Sequence, residues 1–375
     1  MTHARTPRIR RIVVKVGSAV VAPGGTIDPA AISRLALELS SLVHSGTEVV
    51  LVSSGAVASG FRALGLTGMP KVIRQKQAAA AIGQPALMRL YAEAFAKHDI
   101  VPAQVLLTTD DFRRRERFIN AKHTLETLLT SGVLAIVNEN DSVVYDEIKL
   151  GDNDRLSALV ASAIDADLLV LLSVAPGLVD LATGQVIPLV ERIEDARRYV
   201  DASQSSGVGT GGMATKLDAA AIATESGIPT HLTRGPTDEI PNPIARVIAG
   251  ESIGTRFGAS ETVSRRSRKS WIAHAAGAQG TIVVDDGAAH AMRERGASLL
   301  PSGITGVTGR FEPGAAVEIC DASGRRLARG LTSYGSAEIM RIKGQKSDAI
   351  TELLGYSYAE EVVHRDDLIV LEEPR

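Results

Sequence analysis

Over residues 9–230 the chain alternates short runs of β-branched and aliphatic residues with longer Ala- and Leu-rich amphipathic stretches, and this limits its fold more than any other feature. Strands apolar on both faces must be covered on both faces, and helices placed between successive parallel strands do that. Strands are expected at 12–16, 48–52, 134–137 and 168–172, each nearly all apolar. Helices are expected around 29–45, 71–98 (broken near Gly83-Gln84-Pro85), 116–131 and 155–164. The fold class is α/β, a mostly parallel sheet sandwiched by helices.

The texture changes after Thr233. Arg234-Gly235-Pro236, Pro241 and Pro243 lead into a Gly/Ser-rich run and a basic cluster, Arg265, Arg266, Arg268 and Lys269, before Trp271. Beyond Gly277, strand-like pieces at 280–284, 316–319 and 368–371 lie among turns rich in Gly, Pro and Asp. This divides the chain into an α/β domain over 1–258, a linker over 259–277, and a small mostly-β domain with a C-terminal tail over 278–375. With 375 residues, 45% of them hydrophobic, there is ample material for two cores.

Composition narrows the partners. Lys plus Arg number 41 against 43 Asp plus Glu, a net charge of -2, so nothing draws the whole molecule to nucleic acid or to an anionic membrane. The apolar run after the basic N-terminus is interrupted at Lys15, and the stretch 168–174 is far too short to span a bilayer. A single cysteine, Cys320, rules out an internal disulfide. A cytoplasmic location without membrane attachment is expected.

Four segments carry chemistry. Lys15 sits at the end of a doubly covered strand, before Gly17-Ser18. A lysine buried there needs an anion, although an edge lysine whose head snorkels to water fits equally well at this level. Ser53-Ser54-Gly55-Ala56 joins a strand to a helix start, where free backbone N–H groups and the helix dipole suit phosphate or carboxylate, or where Ser54 is simply a cap. Asn138-Glu139-Asn140-Asp141 follows a strand, and Gly151-Asp152-Asn153-Asp154 opens a helix. Any one of these residues could be a cap, but the cluster suits a cationic group, magnesium, or lysines carrying anionic substrates. Finally, Gly207 to Lys216 is a glycine-rich loop ending in a lysine at a helix start. No strand precedes it, and Leu217 stands where a Walker A loop needs Ser or Thr, so it matches neither common phosphate-loop motif. Two lysines, two glycine turns and a carboxylate cluster, with no nucleophile–base pair, point to phosphoryl transfer.

These residues resemble the glutamate 5-kinase (γ-glutamyl kinase) family of the amino-acid kinase superfamily. The resemblance is carried by Val13-Val14-Lys15-Val16-Gly17-Ser18, Val52-Ser53-Ser54-Gly55-Ala56, Lys76-Gln77, Arg115 to Ala121, Asn138 to Asp141, Glu147-Ile148-Lys149 with Gly151 to Asp154, and Gly209 to Lys216. The Gly-Asp-Asn-Asp and Gly-Thr-Gly-Gly-Met-x-Thr-Lys strings are specific, whereas the Lys-x-Gly start belongs to the whole superfamily. In the tail, Ser298 to Pro301, Val307-Thr308-Gly309 and His364 to Asp367 look like that family's PUA domain.

The resemblance implies transfer of phosphate from ATP, with Mg²⁺, to L-glutamate as the first step toward proline. It implies that Lys15, Lys216 and Asp154 are catalytic, and that Ser54, Asp141 and Asn153 hold glutamate. Lys15, Gly17, Gly55, Ser173, Val174, Gly211, Gly212, Met213, Ala214, Thr215 and Lys216 would line the nucleotide. It assigns no resident metal ligands. Feedback inhibition by proline, a homo-oligomer and hand-off to the next pathway reductase also follow from it. One departure stands out: Ser173-Val174 occupies the place where the family usually carries Thr or Ser followed by Asp. The rival readings are a relative acting on N-acetylglutamate, aspartate, carbamate or UMP, and an RNA-binding protein using the tail domain. Residues 278–355 hold 9 Lys plus Arg and 9 Asp plus Glu, which is not the basic footprint of an RNA binder.

Overall fold

The computed structural model describes residues 9–112, 114–143, 152–199, 212–258 and 278–371, which fall into two compact units. The expected linker, 259–277, lies outside the described residues.

At the centre of the first unit is β1 (Arg11–Val16), in which Ile12, Val13, Val14 and Val16 are fully buried. It pairs in parallel with β2 (Glu48–Ser53) and β5 (Leu168–Ser173). Beyond β2 lie β4 (Leu134–Glu139) and then β3 (Pro102–Leu107), both parallel. On the other side β5 pairs in parallel with β7 (Thr230–Arg234), which meets β8 (Thr255–Phe257) antiparallel, and β6 (Leu189–Val190) closes the edge. The order is β3-β4-β2-β1-β5-β7-β8-β6.

Strand alternation sends side chains to two separate cores. Ile12, Val14 and Val16 pack with Leu35 and Leu39 of α2 (Pro29–His44), Leu87 and Tyr91 of α4 (Ile73–Ala96), and Ile244 of α9 (Pro243–Ile248). Val13 packs on the opposite face with Leu125 of α5 (Arg115–Thr130), Leu156 of α6 (Asp152–Ala163), Ala196 of α7 (Ile193–Ala196) and Leu217 of α8 (Met213–Glu225). Two short helices, α1 (Ser18–Val21) and α3 (Ala56–Gly60), follow the ends of β1 and β2.

The expected break in α4 does not occur. The helix runs through Pro85, held by its buried face, and Gly83 serves a different purpose. A Cβ on Gly83 would lie 1.9 Å from the Ala56 carbonyl oxygen, and one on Gly60 2.0 Å from that of Ala79. The glycines let α3 and α4 touch backbone to backbone.

Glu38 of α2 is 2% exposed, and its Oε1 accepts from the backbone N–H groups of Ile244 (2.6 Å) and Ala245 (3.0 Å), holding the first turn of α9. Burial pushes its pKa up to about 7, against the opposing pull of those two N–H groups.

In the second unit, β9 (Gly280–Val284), β10 (Ile304–Gly309), β11 (Ala316–Cys320), β12 (Arg326–Leu331) and β13 (Leu368–Val370) form a sheet of order β10-β9-β11-β12-β13. Only β9 and β11 run parallel among its described pairs. Its core gathers Ile282, Val317, Leu327, Tyr334 and Val362. Strands β10 and β12 escape a sequence reading because Gly and Thr fill the one and two arginines punctuate the other. Among the described residues no helix is long and apolar enough to cross a membrane.

Glu38 yields a signed expectation. Its folded pKa of about 7 lies above its ordinary value of 4.5, so the stability it contributes is full below pH 4.5 and is lost as pH rises through about 7. Glu38→Gln removes that titration. Relative to the parent, the variant should gain about 2–3 kcal/mol between pH 5 and pH 8 in urea unfolding. A pH-independent difference would refute the assignment.

Candidate active site

Strand alternation turns Lys15 to the same face as Val13, toward α6 and α8. There it meets Asp154, fully buried in the first turn of α6, with Nζ 2.5 Å from Oδ1. Lys216, in the first turn of α8, approaches the other carboxylate oxygen, with Nζ 3.2 Å from Oδ2. Thr215 Oγ1 donates to that same oxygen at 2.7 Å. Both lysines are almost wholly buried.

The electrostatics follow from this packing. Burial alone would raise the pKa of Asp154, but the charges of Lys15 and Lys216 outweigh it and hold the carboxyl below its usual range. Burial pushes Lys216 down, and the neighbouring Lys15 adds to the effect while Asp154 opposes it. With all three groups ionised the cluster carries one surplus positive charge, so it is suited to an incoming anion. The first turn of α8 adds to this, since its N-cap Gly212 has no side chain to occupy the N–H groups there. A Cβ on Gly17 would stand 3.6 Å from Lys15 Nζ, so glycine keeps the approach to that ammonium clear.

Next to this charged cluster is a neutral one. Asn153, the neighbour of Asp154, donates from Nδ2 to Ser54 Oγ (3.2 Å) and to Asn138 Oδ1 (3.0 Å). Asn138 donates to Gln84 Oε1 (2.8 Å), and Gln84 to Gln104 Oε1 (3.0 Å). The Ser54 backbone N–H bonds to the Val16 carbonyl (3.2 Å), fixing the turn after β2 against β1. Gly55, with φ +115°, is the N-cap of α3, and a Cβ there would press on Ile27 and Val21 at 3.1 and 3.2 Å. Here glycine is needed both for the left-handed backbone and for space. Asp141 lies two residues beyond β4.

On the far side of β1, the Gly17 N–H bonds to the Leu172 carbonyl at 3.4 Å, which brings the end of β5 beside the lysine cluster. Ser173 Oγ accepts from the Ala175 N–H (3.3 Å), Val174 is exposed, and its carbonyl accepts from Arg234 Nε (3.1 Å). Of the residues expected from sequence, the structure therefore joins Lys15, Asp154, Thr215 and Lys216 in one group and Ser54 and Asn153 in another. Ser173 and Val174 stand at the adjacent strand end, Gly212, Met213 and Ala214 open α8, and Gly211 lies outside the described residues. Sequence reasoning did not single out Gln84, Gln104 or Arg234. Asn138 was visible only as part of its motif, and Thr215 as a loop residue rather than as a partner of Asp154.

Comparison with known proteins accords with this geometry. Residues 10–234 match the amino acid kinase family, and residues 280–354 match the PUA domain. The chain is 49% identical to a glutamate 5-kinase of Trichlorobacter lovleyi over 99% of both chains. It is 46% identical to one of Geobacter sulfurreducens over 97% of this chain and 98% of that one. Among solved structures, N-acetylglutamate synthase from Neisseria gonorrhoeae, complexed with coenzyme A and L-arginine, superimposes with a TM-score of 0.50 at 13% identity. That match covers 67% of this chain and 62% of the other, and at such identity it speaks for the fold alone. The chain belongs to the amino acid kinase family, among the glutamate 5-kinases, and carries their PUA domain.

Proposed function

We propose that this chain transfers the γ-phosphoryl group of ATP to the side-chain carboxylate of L-glutamate, giving γ-glutamyl phosphate and ADP, the entry step to proline. The observation that carries this reading is the buried Asp154 shared by Lys15 and Lys216, next to the Ser54–Asn153 pair. A glutamate carboxylate, with a reference pKa of about 4.3, is ionised at pH 7 and needs no general base. One of its oxygens bonds to the γ-phosphorus while the bond to the β–γ bridging oxygen breaks, and that oxygen leaves with ADP.

Repulsion between the two anions is the main obstacle, and Lys15 and Lys216 offset it, most strongly as charge moves onto the bridge. Asp154 positions both ammonium groups. Ser54, Asn153 and Asp141 hold glutamate over β2 and β4, with Asp141 meeting its α-ammonium. The nucleotide lies across β1, along Gly17, Gly55, Ser173, Val174 and the segment from Gly211 to Lys216.

Magnesium is expected to arrive with the nucleotide. Both oxygens of Asp154 are engaged, and among the described residues no group of three or more acidic, His or Cys side chains could cage a cation. Phosphate oxygens and water would supply its shell, and its contribution would be to neutralise phosphate charge. Proline, which shares the α-ammonium and α-carboxylate of glutamate but has nothing to phosphorylate, is proposed to borrow the same head-group site. The acyl phosphate is labile in water, which favours direct hand-off to the next reductase, while the family resemblance carries the expectation of a homo-oligomer in the cytoplasm. The domain bounds 1–258 and 278–375 remain our assignment, with the catalytic groups all in the former.

Hydroxylamine trapping should yield γ-glutamyl hydroxamate with L-glutamate and far less product with aspartate or N-acetylglutamate. A preference for the acetylated compound would sink the assignment. Lys15→Ala and Lys216→Ala should each lower turnover by about two or more orders of magnitude in folded protein, because each removes charge needed in the transition state.

Asp141→Asn should raise the KM for glutamate more than that for ATP and weaken proline inhibition in parallel. Lost glutamate binding with intact proline inhibition would place proline elsewhere. Deleting residues 278–375 should leave measurable kinase activity, and a folded but inactive truncation would tie the second domain to catalysis or assembly.

A further inference from the structure

The amide network beside Ser54 has a direction, and one atom sets it. The backbone N–H of Glu139 can only donate, and it faces both Asn138 Oδ1 (2.9 Å) and Asn153 Oδ1 (3.2 Å). Both asparagines must therefore turn their oxygens to it. That leaves Asn138 Nδ2 facing Gln84, which has to answer with Oε1, and the observed pair is 2.8 Å apart. Gln84 then presents Nε2 to Gln104, at the exposed sheet edge, where its partner can turn freely.

On the other branch, the hydrogens of Asn153 Nδ2 go to Asn138 Oδ1 and Ser54 Oγ. Ser54 accepts on its protein side, and among the described residues no side chain or carbonyl accepts its hydrogen. That hydrogen is left to donate to whatever binds.

Gln84 is placed for this by features the catalytic groups do not use. It is buried on α4, one residue from the glycine that lets α3 and α4 touch, and α4 is pinned to the end of β2 by the Tyr91–Ser53 hydroxyl pair at 2.7 Å. An apolar residue at 84 would orphan Asn138 Nδ2 in a site from which water is largely excluded, since Asn138 is itself buried.

We propose that Gln84 is a positioning residue of the acceptor site: by accepting from Asn138 Nδ2 it holds firm the orientation that the Glu139 N–H sets, and so keeps Asn153 donating to Ser54 and the Ser54 hydrogen turned to the substrate. With one lone pair taken by Asn153 and its hydrogen unused, Ser54 favours a carboxylate oxygen over an ammonium or amide NH₂. The inference rests on the proposed placement of glutamate beside Ser54.

The test is steady-state kinetics on the full chain with Gln84→Met, Gln84→Glu, Ser54→Ala and the double variant Ser54→Ala/Gln84→Met. Gln84→Met should raise the KM for glutamate about tenfold while the KM for ATP stays within about twofold. Gln84→Glu still accepts from Asn138, and Gln104 can turn to donate to it, so its glutamate KM should stay within about threefold of the parent. In the Ser54→Ala background, Gln84→Met should add less than about twofold, because its effect passes through the hydroxyl already removed.

Equal damage from Met and Glu, parallel shifts in both KM values, or full additivity would each overturn the proposal. Should Gln84→Met not fold, Gln84→Asn, which withdraws the carbonyl by one methylene, is read in its place. A glutamate KM unmoved by Ser54→Ala would refute the placement of the substrate. A KM raised by Ser54→Ala but not by Gln84→Met would refute the relay alone.

Discussion

Two lysines cannot be buried side by side without an anion between them, and in this chain that anion is Asp154. Each carboxylate oxygen serves one ammonium, and Thr215 adds a hydroxyl. The aspartate thereby ties together a strand and two helices far apart in sequence: Lys15 ends β1, Asp154 opens α6 and Lys216 lies in the first turn of α8. Taken by themselves the three ionised groups sum to one positive charge, which suits them to an anion such as the phosphate proposed to bind there. A second resident carboxylate would neutralise the cluster and leave it less to gain from a ligand.

Fixing the first turn of α6 also fixes Asn153, and with it the neutral half of the site. The two halves work by different physics. The lysine half acts through charge, which reaches across several ångströms and tolerates small displacements. The amide half acts through hydrogen-bond direction, which fails if one group rotates. It is accordingly built from a chain of contacts in which every member is oriented by the next, beginning at the Glu139 N–H. The close crossing of α3 and α4 at Gly60 and Gly83 brings Gln84 within reach of that chain.

The central sheet was legible because its strands are apolar on both faces, so β1, β2, β4 and β5 stand out, each within two residues of its observed end. The charged half was legible too, since a lysine in such a strand and a lysine after a glycine loop are both anomalies that call for an anion. The rest was hidden for specific reasons. β3 carries an exposed Gln104 at its middle, and β7 reads Thr-His-Leu-Thr-Arg, so neither shows the apolar run of a covered strand. Gly83-Gln84-Pro85 carries the local signature of a break, but its glycine answers a tertiary contact and its glutamine a hydrogen bond to a strand 54 residues away. Local pattern cannot report partners at that separation. Glu38 is hidden in the same way, since nothing near it in sequence says that its carboxylate holds a helix start 206 residues further on.

The departure at Ser173-Val174 shows which parts of such a site can change independently. The resemblance to the glutamate 5-kinases implies an acid there, and here the side chain is an exposed valine. The backbone path is nevertheless kept: the Gly235 N–H bonds to the Ser173 carbonyl at 2.9 Å, and Arg234 holds the carbonyl of Val174. Main-chain geometry at this strand end therefore does not depend on the missing carboxylate, whereas any recognition that used its charge does. Arg234 brings a positive group to this edge. The lysine–aspartate cluster is insulated from that change, because Lys15, Asp154 and Lys216 are held by one another and not by residue 174. If the nucleotide lies along this strand end as proposed, its selection and the phosphoryl transfer rest on separate contacts, and a change at residue 174 leaves the lysine–aspartate cluster as it is.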